Sequence, residues 1–364
     1  MKRKYYNVIG IMTGTSMDGI DISFCRTNGT NKCIIIKEKS YSYSRETQKK
    51  LKKLLKYNFK ENFFKQSNLM VTNLILKYLK KFIFDFNIEK KTINLIGISG
   101  QTIIHLPQKK ITIQLGLPKK ISNYFKINVV SDFRKKDIEL GGQGAPIGAY
   151  YHKYLLKKIN KNSLIVNLGG VANYSKLYRN NLYSSDIGPS NALSDDIINK
   201  KQKKKFDNNG QIASKGKINN SILNKFKKDK FFKKKYPVSL DRNNFHYLIN
   251  SLQKLPVEDG LATAISFTVF CIKNLINKKI NSNINEIILT GGGRKNKFLI
   301  KSLKYEIKNI KLSLIDAYGF NGDLIESQMF SYIAVRSIKK LTLSDRNTTG
   351  VKKKITGGKL YISS

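Results

Sequence analysis

Hydrophobic positions along the chain alternate between short β-type runs and longer helical stripes, in an order that predicts two α/β halves. Val8–Met12 and Ile20–Cys25 are apolar runs on either side of a polar tip, Thr13–Gly19. Strand, small polar turn, strand is a hairpin signal. Cys33–Ser40 predicts a further strand. Across Lys49–Phe86, Leu51, Leu54 and Leu55, then Leu69, Leu74, Ile75, Leu79 and Phe82, recur at helical spacing between lysines, which predicts helices with a buried stripe. Thr92–Ile98 and Ile127–Ser131 read as buried strands, and Ile147–Lys158 as a helix crossing between domains.

The opening pattern then recurs. Ser163–Leu168 and Val171–Leu177 are apolar runs joined by Gly169-Gly170, a second Gly-tipped hairpin about half the chain beyond the first. The repetition points to an internal duplication. Asp186-Ile187-Gly188-Pro189 reads as a turn, with Ser190 or Asn191 capping a helix through Ile198. Asn199–Tyr236 is polar and lysine-dense, hence loops and surface helices. Pro237–Arg242 and Phe245–Leu252 return to structure. Asp259–Ile276 predicts a buried helix. Its most apolar part, Leu261–Ile272, carries Thr263, Ser266 and Thr268, stops at Lys273, and is too short to span a bilayer. Asn285–Thr290 is a buried strand ended by Gly291-Gly292-Gly293, with a helix from Asn296. A last helix, Leu324–Leu341, precedes a polar tail. The expected domains are residues 1–134 with 342–364, and residues 135–341.

Composition changes little in this picture. At 364 residues with 40% hydrophobic content, two cored domains are affordable. The net charge of +44 invites a nucleic-acid reading. The lysines, however, are spread over nearly every surface-type segment, and Lys, Asn, Ile, Tyr and Phe share A/T-rich codons, while Trp is absent. Genome bias explains the excess. We expect no specific nucleic-acid partner, only weak, salt-sensitive attraction to polyanions. Three cysteines, Cys25, Cys33 and Cys271, with no C-x-x-C, indicate neither a disulfide framework nor a zinc site. With no signal-peptide core, the expectation is a soluble, cytoplasmic protein without a membrane partner.

Chemistry collects at the strand ends. Gly14 and Gly19 with Thr13, Thr15 and Ser16 make a tip where successive N–H groups can converge on an anion. Asp18 and Asp21 offer oxygen ligands to a hard cation bridging phosphates. Gly97-Ile98-Ser99-Gly100-Gln101-Thr102, then His105, follow a buried strand, where α/β proteins place ligands. Asp132 and Arg134 end another, and Gly141-Gly142-Gln143-Gly144 demands an unusual backbone. The triple glycine is not a dinucleotide fingerprint, but it lets a flat ligand lie against main chain. Asp323 stands near a helix N-terminus. A serine hydrolase built on Ser16 with His105, His152 or His246 is set aside, because Asp18 occupies the place of the elbow's last glycine.

Two Gly-tipped hairpins in two α/β halves, with strand, triple glycine and helix after the second, resemble the duplicated actin, Hsp70 and sugar-kinase (ribonuclease H-like) architecture, in which a nucleotide lies in a central cleft. GIMTGTSMDGID, GISGQTIIHLP, VVSDFR, LGGQGAP, NLGGVANYSKL, DIGPSN, FDNNGQIASKGKI, TGGGRKN and GDLIESQMF resemble, in order and spacing, the anhydro-N-acetylmuramic acid kinases.

The resemblance implies an enzyme using ATP and Mg2+ in peptidoglycan recycling, and a homodimer. It would open the 1,6-anhydro bond of anhydro-N-acetylmuramic acid and phosphorylate O6. ATP contact falls on Gly14, Thr15, Ser16, Met17, Asp18, Gly19, Ile20 and Asp21, on Gly169 and Gly170, and on Gly291, Gly292 and Gly293 facing the adenosine. Asp186 is the implied base, Asp18 the metal ligand, and Gln101, His105, Asp132, Arg134 and Glu326 the sugar contacts. The family usually has Asp-Thr-Gly-Pro-Gly-Asn, so Ile187 and Ser190 are departures, as are Ser99 and Ile104. The rival readings are a related kinase with another sugar, and a nucleotide-driven switch of the actin or Hsp70 kind.

Overall fold

A computed structural model describes residues 4–54, 61–278 and 283–364. The expected helical position Leu55 lies outside the described residues. In chain order the elements begin β1 (Tyr6–Thr13), β2 (Gly19–Thr27), β3 (Cys33–Ser42), α1 (Arg45–Lys53), α2 (Glu61–Asp85), β4 (Leu95–Ile98), β5 (Gln101–Leu106), β6 (Ile111–Leu115), α3 (Pro118–Phe125), β7 (Val129–Ser131), α4 (Lys135–Glu139) and α5 (Ala149–Lys158). They continue with β8 (Ser163–Leu168), β9 (Val171–Tyr178), β10 (Asn181–Pro189), α6 (Asn191–Gln202), α7 (Asn220–Lys227), α8 (Ile249–Lys254), α9 (Val257–Ile276), β11 (Glu286–Thr290), α10 (Lys297–Glu306), β12 (Lys311–Leu314), α11 (Ile325–Ile338) and β13 (Lys359–Tyr361). The chain divides into two compact units, Met1–Tyr154 with Leu324–Ser364, and Leu155–Asp323.

In the first unit one sheet runs β13-β7-β4-β1-β2-β3. β1 pairs antiparallel with β2, from Tyr6↔Thr27 to Thr13↔Ile20, and parallel with β4. The period-2 alternation of β1 explains both faces. Ile9 and Ile11 enter a core with Ile75, Leu79 and Phe82 of α2. Gly10 turns the other way, where α11 lies against the sheet. A Cβ there would stand 2.0 Å from Ser327 O, and one at Gly97 2.3 Å from Phe330 O. Two glycines on neighbouring strands thus let a helix backbone touch the sheet. The Ser23 and Ser327 hydroxyls bond at 2.6 Å across that contact.

This contact moves the domain boundary. α11 was expected in the second domain by its position in the chain, but it packs on β1, β2 and β4 and belongs to the first unit. The opposite boundary falls inside α5, at 154/155 rather than 134/135. The polar tail is less featureless than it looks, because β13 pairs with β7 and completes the sheet edge.

In the second unit the sheet runs β10-β9-β8-β11-β12. β8 pairs antiparallel with β9 and parallel with β11, which repeats the arrangement around β1. The duplication expected from the hairpins is therefore topological. Its core holds Leu164, Val166, Phe226, Phe267 and Ile272, with Phe226 and Phe267 stacked at 4.2 Å between ring centroids. α9 runs 20 residues, longer than its apolar stretch suggests, and is the one helix among the described residues long and apolar enough to cross a membrane. Most of it is buried in this core, as expected of an internal helix.

Three other stretches differ from expectation. Asn181–Pro189 is a strand with a bulge between Asp186 and Gly188, where a turn was expected. Its serines are as buried as its apolar residues, so no alternation marks it. Gln101–Leu106 and Ile111–Leu115 pair as a separate two-stranded sheet. Pro237–Asp241 forms neither helix nor strand.

Gly10→Val should lift α11 off the sheet. We expect a loss of about 3 kcal/mol or more, read from the urea unfolding midpoint. Gly141→Ala, at φ +84° with nothing within 4 Å of the new Cβ, is the control. It should lose only about 1 kcal/mol of backbone strain.

Candidate active site

The first hairpin tip is built from main chain. Met17 N–H donates to Gly14 O at 3.1 Å, and Tyr43 N–H to Asp18 O at 2.8 Å. Met17 has φ 55° and a fully buried side chain, and Ile20 is equally buried. Both were expected at the nucleotide; their side chains anchor the tip in the core, so it is their backbone that a ligand could meet. Gly19 is required sterically, since a Cβ would lie 2.6 Å from Tyr41 O. Asp18 is exposed and accepts from Ser16 Oγ at 2.5 Å. Gln101 Nε2 donates to Gly14 O at 3.1 Å, and Ser99 Oγ accepts from Thr13 N–H at 3.0 Å. Gln101 therefore supports the tip, and the departure at Ser99 has a structural use.

Beside this tip the same unit gathers most of the expected sugar residues. Arg134 donates to Gly144 O at 2.8 Å. His105 Nδ1 lies 3.2 Å from Thr112 Oγ1, which accepts from Gln114 Nε2 at 2.7 Å. A cavity is lined by Thr13, Thr15, Ser99, Thr102, Gln114 and Arg134. Gln114 Oε1 is sealed from solvent with no partner among the described residues. An orphan acceptor of this kind is worth about 1–3 kcal/mol of destabilisation. Gln114 had no signal in the sequence, because β6 was not expected. Asp137 was also missed. It is 1% exposed, accepts from Gly144 N–H at 2.7 Å and Thr349 Oγ1 at 2.6 Å, and so shapes the glycine-rich loop.

The Asp132 carboxylate bonds Tyr361 and pairs with Lys135 at 2.9 Å, so it fastens β13 and the start of α4. Glu326 opens α11 with its side chain accessible to solvent. The protein crowded around it still pushes its carboxyl above the usual range, an effect the charge of Arg134 opposes.

In the second unit Asp186 sits at the bulge of β10, 6% exposed. Leu240 N–H donates to its Oδ2 at 2.8 Å, and its own N–H donates to Val238 O at 3.0 Å. The coil beside β10 thus helps to hold this carboxylate. Gly188 itself, at φ +154°, leaves room for Cys271, whose Sγ would be 2.2 Å from a Cβ.

The Gly169-Gly170 tip and the triple glycine come together. A Cβ at Gly291, φ +77°, would meet Asn167 Oδ1 at 2.5 Å and Leu168 O at 2.8 Å, while Gly292 has nothing nearer than 3.9 Å. That open backbone is a ledge a side chain would fill. Arg294, missed from sequence, locks it: the guanidinium bonds Asp316 in two places at 2.7 and 2.9 Å, Asp323 at 2.6 Å and Gly291 O at 3.0 Å. The first amides of α6 are spent on the tip, with Asn191 N–H donating to Gly169 O and Ala192 N–H to Gly170 O. Ser190 occupies the N-cap position but makes no capping bond, and its hydroxyl is buried without a partner among the described residues. Ile187 is wholly buried in the core.

Two sheets that share a five-strand order, the first with β13 added at its edge, each with a tight hairpin at the end of its central strand, define the duplicated ribonuclease H-like fold of the actin, Hsp70 and sugar-kinase class. The family model described as anhydro-N-acetylmuramic acid kinase matches residues 6–363. The chain is 36% identical to the anhydro-N-acetylmuramic acid kinase of Pelagibacter ubique (strain HTCC1062), covering 98% of both chains. It is 33% identical to that of Zymomonas mobilis subsp. mobilis (strain ATCC 31821 / ZM4 / CP4), covering 97% of this chain and 99% of the relative. The chain belongs to the anhydro-N-acetylmuramic acid kinase family. Likeness to solved structures is fainter: component A of the (R)-2-hydroxyglutaryl-CoA dehydratase of Acidaminococcus fermentans is 9% identical, with TM-score 0.46 over 92% of this chain and 99% of that one.

His105 yields a pH prediction. Burial, with the Arg134 charge, holds its imidazole down at about 3, against a bond to the Gln143 backbone that raises it. It should stay neutral between about pH 5 and 8, giving no histidine titration for this ring by NMR. The unfolded chain takes up the proton near pH 6.5, so stability from this residue is complete above about 6.5 and erodes as pH falls toward 3. His105→Asn should flatten that part of the acid slope in denaturant midpoints.

Proposed function

We propose that this chain is an ATP-dependent kinase of peptidoglycan recycling. It opens the 1,6-anhydro bond of anhydro-N-acetylmuramic acid with water and phosphorylates O6, giving N-acetylmuramic acid 6-phosphate and ADP. The observation that carries this reading is the family match along nearly the whole chain, residues 6–363. Taken unit by unit, the local geometry supports it: each unit has a hairpin tip that offers main chain to an anion, the second adds the Gly292 ledge, and in the first Arg134, His105 and Glu326 offer polar groups to a sugar.

Acetal cleavage normally takes two carboxylates, one to protonate the leaving oxygen and one to activate water. Here the leaving oxygen is O6, and transfer of the phosphoryl group to it replaces the acid. One carboxylate then suffices. Asp186 orients water at C1 and takes its proton, with its carboxylate aligned by the Leu240 N–H. Thr15, Ser16 and the tip amides meet the phosphate oxygens, where positioning and electrostatics supply most of the rate.

Magnesium, when bound, would offset the charge on the phosphate oxygens. Asp18 fits it as an accessible carboxylate at the tip, with Asp21 on the same hairpin. No group of three metal-type side chains forms among the described residues. Such a site would leave most of the ion's ligands to come from outside the protein, which suits magnesium.

Turnover in ¹⁸O water tests the scheme. Label is expected at the anomeric carbon and none in the phosphate. Asp186→Asn should lower turnover by at least about 10²-fold while ATP still binds. Unlabelled phosphorylated sugar, or faster turnover of another sugar than of the anhydro sugar, would overturn the reading.

A further inference from the structure

The coil that aligns Asp186 has a second anchor which the reaction scheme does not use. Upstream, Val238 and Leu240 are stitched to β10: Val238 N–H donates to Ser185 Oγ at 3.0 Å, Asp186 N–H to Val238 O at 3.0 Å, and Leu240 N–H to Asp186 Oδ2 at 2.8 Å. Downstream, Arg242 Nη2 reaches both oxygens of Asp196 at 3.1 Å, and His246 Nε2 lies 2.8 Å from Asp196 Oδ2. Asp196 is on α6, the helix that starts just after the bulge carrying Asp186. Between these anchors the chain folds on itself, with Asn243 N–H on Asp241 Oδ1 at 2.8 Å and His246 N–H on Asn243 O at 2.9 Å.

We propose that Asp196 is a positioning residue for the base Asp186, acting through the segment 237–246. This rests on Asp186 being the base. Residues 237–241 belong to no helix or strand, so their placement depends on what holds each end. One end is held by the strand that bears Asp186, the other by a carboxylate gripping two side chains four residues apart, on either side of Phe245, which is buried in the core of the unit. Asp196 and its partners are about one-third exposed, and ion pairs with that much solvent contribute little to global stability. What this one fixes is local: without it Arg242 and His246 lose their shared partner, the stretch before Phe245 is held from one side only, and the Leu240 amide can shift from its bearing on Asp186.

The test compares Asp196→Asn and Asp196→Ala with the intact enzyme, using ATP, magnesium and the anhydro sugar. kcat should fall roughly tenfold or more, as small misplacements of catalytic groups do, while both KM values stay within about twofold. Asp196→Glu should recover part of kcat. Hydrogen exchange of the peptide covering residues 238–241 should quicken, with α9 unchanged. Unchanged kcat in both variants, or exchange quickened throughout the second unit, would overturn the proposal. If the intact enzyme makes no phosphorylated sugar, the proposed function falls, and the exchange measurement still decides whether Asp196 anchors the coil.

Discussion

Each unit depends on a central strand paired antiparallel on one side and parallel on the other. β1 lies between β2 and β4, and β8 between β9 and β11. In β1 a slip by one residue would turn Ile9 or Ile11 to the face where only Gly10 leaves room for α11. The tips at the ends of these strands, Thr13–Gly19 and Gly169-Gly170, inherit that rigidity. A phosphate-handling loop gains from this arrangement, because its amides can be aimed before any charge arrives. The close approach of α11 at Gly10 and Gly97 serves the same end from below, since the backbone of the helix rests on the backbone of the strand.

What was legible in the sequence was what repeats or punctuates. The two hairpins, the strand before Gly291, and the helix capped by Asn296 announce themselves through alternation, glycine and an N-cap whose side chain does accept from Leu299 N–H. β10 was illegible because its serines are buried and hydrogen-bonded, as Ser184 is to Ser175 of β9 at 3.0 Å. Hydrogen bonds satisfied inside a sheet leave no mark on a hydrophobic pattern. The place of α11 was illegible for another reason: its partners lie some three hundred residues away, as Ser331 with Val8 O shows. Met17 and Ile20 show the limit of reading a site from a motif, for a motif does not say which of its side chains point inward.

Arg294 shows how such gaps matter at the site. A triple glycine is entropically costly to order, and glycine alone cannot explain why its backbone should hold still for a ligand. The buried guanidinium does. Its donors are divided among Asp316, Asp323 and Gly291 O, while Asp316 also accepts from Gly322 N–H and Gly322 O accepts from Gly291 N–H. Arg is suited to this because its fork is planar and always charged, so one side chain fixes two loops at once. The departures read as local repacking on the same terms. Ile187 fills core volume where the family has a hydroxyl, and Ser99 supports the tip.

The charge balance sharpens this view. With 24 acidic residues against 68 basic ones, a carboxylate is the scarce group in this chain, and a lysine facing solvent carries little information. Several carboxylates are spent on fixing particular backbone near the tips and strand ends. Asp137 shapes the Gly141–Gly144 loop, Asp196 grips Arg242 and His246, and Asp316 and Asp323 hold Arg294. Glu286, at the start of β11, is held well below its usual range, at about 2, by bonds from Ser313, Tyr318, Lys311 and Ser163 that outweigh its burial. Uniform codon bias acts on every position alike, so it accounts for a basic surface but not for carboxylates placed where a loop must not move. That placement is what distinguishes a folded, working site from a basic chain of the same composition.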